Sequence, residues 1–97
     1  MSQQHSISTE EREKVLAVYF KDGFDKQIDI FPSKEKKKLI ILQQICKRFE
    51  PQRMYTEKEV NELLKPSYHD HVSIRRYLIE YGFMERNTDC TAYWLKE

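Results

Sequence analysis

Hydrophobic and polar positions along this chain change period several times, and the changes predict four helices and three short strands. From residue 8, Val15, Leu16, Val18, Tyr19 and Phe20 supply the apolar bulk of a first helix, on a face broader than one stripe. The Ser8 hydroxyl is placed to accept from the free amides of the first turn, and Glu11 three residues on would complete a capping box. Lys21-Asp22-Gly23 ends this helix, glycine being suited to a left-handed terminus. Phe24, Ile28 and Ile30 then alternate imperfectly with Asp25, Gln27 and Asp29. That alternation predicts a short strand over residues 26–30, ended by Pro32.

Ser33 opens the longest helix, running to about Phe49. Leu39, Leu42, Ile45, Cys46 and Phe49 recur at intervals of three and four, as a buried stripe requires, and Ile40 and Ile41 broaden it into a central core helix. After a connection around Pro51, Thr56 caps a third helix, with Glu59 completing its capping box. Val60, Leu63 and Leu64 face inward, and Pro66 terminates the helix. Asp70 caps a fourth helix over residues 70–81. At about 100° per residue, Ile74, Tyr77, Leu78 and Tyr81 fall on one side with His71 at its edge. Val72, Ser73, Arg76 and Glu80 point the other way, and Arg75 lies on a flank. Gly82 stops this helix, and residues 83–86 and 91–95 read as a β-hairpin around Asn87-Thr88-Asp89.

A capped helix, a short loop, a second helix and a hairpin, in that order, are the layout of half a winged helix. The fold class expected is therefore α+β: a single winged-helix-like domain over residues 8–97, behind a flexible N-terminus at residues 1–7. Its four helices would carry a small antiparallel sheet, the C-terminal hairpin wing plus the short strand near 26–30.

Ninety-seven residues suit one small domain with a modest core. No apolar run is long enough to span a membrane, and the polar start lacks secretory-signal features, so a cytoplasmic protein without membrane association is expected. Cys46 and Cys90 lie far apart and form no CxxC pair, which in a reducing compartment reads as two free thiols. The formal net charge of +1 hides a gradient. Residues 34–53 hold seven basic side chains against two acids, whereas residues 66–97 hold four against five. Phosphate neutralisation supplies most sequence-independent affinity for DNA. The helix placed to read DNA thus lies in a balanced segment, and the basic charge comes earlier.

The fourth helix is the candidate recognition helix for double-stranded DNA. Ser73 and Arg76 could reach base edges or phosphates, with Tyr68, His69 and His71 near the helix start. Arg86 at the wing and Lys36, Lys37 and Lys38 could add backbone contacts. The alternative for Arg75 and Arg76 is pairing with Glu57, Glu59 or Glu85 to hold the helices together. The alternative for the lysine run is a solvated helix face, although cations in a first turn oppose the helix dipole. His69-Asp70-His71 is a poor metal site, because the two histidines diverge on a helix and zinc wants four ligands. No metal or cofactor is expected. Cys46 reads as core, and nothing activates Cys90. No catalytic triad order or paired carboxylates stand out, and two glycines leave no room for a phosphate-cradling loop, so an enzyme is not expected. Tyr55, Tyr68, Tyr77, Tyr81, Tyr93 and Trp94 could offer stacking surfaces, but their positions favour core and rim packing. The second function class is a protein-interaction or dimerisation module without DNA. Residues 10–20 of the first helix are the candidate contact for a homodimer or partner regulator.

Phe31-Pro32-Ser33-Lys34-Glu35-Lys36-Lys37-Lys38, Arg48-Phe49-Glu50 and Tyr55-Thr56-Glu57-Lys58-Glu59-Val60-Asn61 resemble the prokaryotic domain of unknown function numbered 2087. Asp70, Ile74, Arg75-Arg76, Leu78, Gly82, Arg86 and Tyr93 continue the match, which spans roughly residues 21–94. The resemblance implies a compact winged-helix-like domain, found alone or joined to helix-turn-helix regulators of the ArsR kind, with no established biochemical activity. The turn, often Asp-Gly in relatives, is Asp89-Cys90 here, which implies a longer or differently shaped wing.

Overall fold

The computed structural model describes residues 8–21, 23, 26–89 and 91–96. Among them are four helices and a two-stranded sheet: α1 (Thr9–Tyr19), α2 (Glu35–Cys46), α3 (Glu57–Leu64), α4 (His71–Glu80), β1 (Met84–Arg86) and β2 (Tyr93–Leu95). The architecture is α+β and winged-helix-like.

The helix ends follow local chemistry. Ser8 accepts from the Glu11 amide at 3.1 Å. The Glu11 carboxylate does not return to complete a capping box; it pairs with Lys36 of α2 at 3.0 Å. Thr56 and Glu59 form the full reciprocal box at α3. At α2 the cap is Lys34, without a side-chain hydrogen bond, rather than Ser33. Its far end reaches Phe49 only by tightening, as the amides of Lys47, Arg48 and Phe49 donate to carbonyls three residues back. Gly82 closes α4 at φ +79°, with its amide donating to Ile79 and the Phe83 amide to Leu78, a Schellman pair. A Cβ at Gly82 would meet no atom within 4 Å. Gly82→Ala therefore tests the backbone alone: it should cost about 1–2 kcal/mol in chemical denaturation, the strain of a left-handed L-residue.

The core gathers around α2. Ile41, Leu42 and Ile45 pack with Val60 and Leu64 of α3, Ile74 and Leu78 of α4, and Met84 and Tyr93 of the hairpin. Phe49 and Tyr55 meet edge to face, with ring centroids 5.1 Å apart. Helix α1 has no fully buried residue; its half-buried Val15, Leu16 and Tyr19 lean on this core, and Arg12 donates to the Gln43 side chain of α2.

The strand expected over residues 26–30 does not form. This segment is irregular and is tied to the fold by the buried Ile28, whose amide donates to the Ser67 carbonyl at 2.8 Å, and by the Gln27 side chain, which donates to the Lys65 carbonyl at 2.8 Å. An alternating run becomes a strand only beside a free sheet edge. The edge of β2 is occupied by Tyr55, which exchanges both backbone hydrogen bonds with Tyr93 at 2.8 Å. Phe24 and Asp25, which began the alternation, lie outside the described residues, as do residues 1–7 and Cys90. The hairpin pairs Met84 with Leu95, Glu85 with Trp94 and Arg86 with Tyr93. Its connection is longer than the expected Asn87-Thr88-Asp89 turn, because the strands stop at Arg86 and resume at Tyr93. Asn87 organises it, its side-chain oxygen accepting from the Thr91 and Ala92 amides at 2.9 and 3.0 Å.

Candidate functional site

Helix α4 begins at a doubly bonded cap. Asp70 accepts the Ser73 amide at 3.2 Å and the Ser73 hydroxyl at 2.7 Å. These bonds, the hydroxyl first, hold the Asp70 carboxyl below the usual carboxylate range, and the fields of His69 and His71 add to the effect. The cap's contribution is thus present above the ordinary carboxylate range and is lost as pH falls through the lowered value. The Ser73 side chain is held on this cap. His69 is exposed and lies against Tyr68, with ring centroids 4.4 Å apart, while His71 is half-buried.

The next turn separates two adjacent arginines. Arg75 is largely covered, its side chain 16% exposed, and it donates to Asn61 Oδ1 at 2.6 Å and pairs with Glu57 at 3.2 Å. It is a latch between α3 and α4. Of its sequence-level partners only Glu57 is used: Glu59 serves the Thr56 cap, and Glu85 accepts from the Trp94 indole at 3.1 Å. Asn61 was missed, although it stands four residues after Glu57 and so shares its helix face. Arg76 is exposed and makes no ion pair among the described residues.

Arg76 stands between two depressions. One, of about 310 Å³, is lined by Glu57, Arg75, Arg76, Ile79, Glu80, Arg86 and Tyr93. The other, of about 200 Å³, is lined by Ser73, Arg76, Tyr77 and Glu80. The fold thus brings Arg76 of α4 and Arg86 of the hairpin to the same groove. Arg86 also donates to the Asn87 carbonyl at 3.3 Å. The groove is lined by three guanidiniums and two carboxylates, a mildly cationic surface. A guanidinium there has the fork geometry to grip a phosphate or a base edge.

The three lysines do not form one patch. Lys36 is drawn to Glu11 on the α1 side, and Lys38 lies 4.8 Å from the Tyr77 ring centroid on the α4 side. Lys37 is exposed. Lys38 thus lies beside the Arg76 surface, which Tyr77 also lines. The tyrosines pack: Tyr55 and Tyr93 are buried, and Tyr77 stacks on Phe31 with ring centroids 5.3 Å apart.

Among the described residues, no three His, Cys, Asp or Glu side chains are grouped to hold a metal ion, and no helix is long and apolar enough to cross a membrane. Burial pushes the Cys46 thiol up to about 12, which keeps it protonated and unreactive at neutral pH.

Comparison with curated proteins and comparison with solved structures each found no match. Residues 27–95 match the model of a family described as "Uncharacterized protein conserved in bacteria (DUF2087)", and since that segment takes in most of the chain, the protein belongs to this family.

Proposed function

We propose that this protein is a non-enzymatic DNA-binding transcriptional regulator, or an accessory module of one, that acts in the cytoplasm on double-stranded DNA through a winged-helix scaffold. The observation that carries the reading is the groove shared by Arg76 of α4 and Arg86 of the hairpin. A helix presenting one arginine beside a wing presenting another can place the first in a major groove and the second on the flanking backbone. Lys38 adds a third cation beside Tyr77.

Two phosphate-facing cations, Arg86 and Lys38, imply modest affinity that falls with salt, with a slope of log K against log salt of about −2. Titrating short duplex DNA into the labelled protein at low salt should shift Arg76 and Arg86 resonances. The double variant Arg76→Ala/Arg86→Ala should weaken binding and flatten the salt slope by about 1, the share of Arg86. Silence at both residues at low salt would sink the DNA reading. A concentration-dependent dimer in that case would favour the second reading, a dimerisation or protein-interaction module. Supporting that alternative, Val18 on the outer side of α1 is 67% exposed, and α1 lies outside the segment that matches the family.

A further inference from the structure

Resting on the DNA-binding reading above, we infer that Val72 and Arg76 are the base-reading residues of α4, selecting a thymine and a guanine one to two base pairs apart. Along α4 the exposed residues are Val72, Arg76 and Glu80. At about 100° per residue they fall within an arc of about 80° and form a crest. The side chains that flank the crest are held elsewhere. Ser73 donates its hydroxyl to Asp70 at 2.7 Å, Arg75 is tied to Asn61 and Glu57, and Tyr77 is stacked on Phe31. Depressions of about 310 and 200 Å³ lie on either side of Arg76 and Glu80.

The crest chemistry fits two major-groove features. A guanidinium can donate both arms to guanine O6 and N7, and an isopropyl group can sit against the thymine C5-methyl. Val72, at 42% exposed, is among the large hydrophobic residues this domain leaves in solvent, and it occupies the first turn of α4. That end carries the positive pole of the helix and points most readily at DNA. Four residues of helix rise about 6 Å, and successive bases on one strand rise about 3.4 Å, so the two contacts fall on neighbouring or next-neighbouring base pairs. Glu80 comes one turn later. Its carboxylate repels phosphate and, unpaired among the described residues, is free to do so, whereas the Asp70 carboxylate at the Val72 end is engaged by the Ser73 amide and hydroxyl.

The test is selection from a randomised duplex library at low salt, using the full chain and the variants Arg76→Ala and Val72→Ser. The native chain should enrich a motif holding a thymine and a guanine at the stated spacing. Arg76→Ala should lose the guanine preference by about 5- to 100-fold while keeping the thymine, and Val72→Ser should do the reverse with a smaller loss. Both positions are exposed, so both variants should keep the native circular dichroism spectrum. A motif unchanged in either variant overturns the inference and leaves DNA binding standing. So does salt-sensitive binding without any enriched motif. Failure of the native chain to bind duplex at low salt overturns both.

Discussion

Leu78→Ala is expected to lower the stability of this domain by about 2–5 kcal/mol, the cost of deleting a buried leucine and leaving a cavity. Leu78 is fully buried on α4, on the side opposite the exposed Arg76, and its carbonyl accepts the Phe83 amide that turns the chain into the hairpin. The side chain belongs to the buried cluster that also holds Ile41, Leu42 and Ile45 of α2, Val60 and Leu64 of α3, and Met84. A domain of this size has about 5–15 kcal/mol in total. The loss should therefore move the urea midpoint down by about 1–3 M with little change in slope. A shift below about 0.5 M would mean that α4 is not seated as described.

The second large effect separates neighbours. Arg75→Ala should cost about 1–3 kcal/mol, because it removes charge-assisted hydrogen bonds from a largely covered site. The value stays at the lower end if water replaces the guanidinium at Glu57, whose side chain is 48% exposed. Arg75→Lys should recover little, since one ammonium cannot span Asn61 Oδ1 and Glu57 Oε2 as the fork does. Arg76→Ala should change stability by no more than about 0.5 kcal/mol, as expected for an exposed residue with no ion pair among the described residues. Measured side by side in urea, the two alanine variants should therefore differ clearly. Equal stabilities would remove the distinction on which the interface reading depends.

The same arginine pair shows where sequence reading stops. Helical spacing placed Arg75 on a flank and Arg76 outward, and both placements hold. Which carboxylate each would meet depended on how α3 lies against α4, and no periodicity in α4 contains that angle. The lysine run is a similar case. Its charge was legible, but its division between Glu11 on α1 and Tyr77 on α4 follows from α2 lying between those helices.

Features that rest on bonds spanning three to five residues were readable in the chain: the caps at Ser8, Thr56 and Asp70, the stop at Gly82 and the apolar stripe of α2. A cap satisfies amides within its own first turn, so the residues that decide it are adjacent in sequence. The segment at residues 26–30 had the alternation of a strand but no say over its partner. Tyr55, already joined to Tyr93, holds the edge it would have needed, and Ile28 is tied instead to Ser67. Local hydrogen bonds and apolar period determined the helices and the hairpin. The sheet's third member, the partner of Arg75 and the meeting of Arg76 with Arg86 were decided only by tertiary packing, because each joins groups brought together by the core.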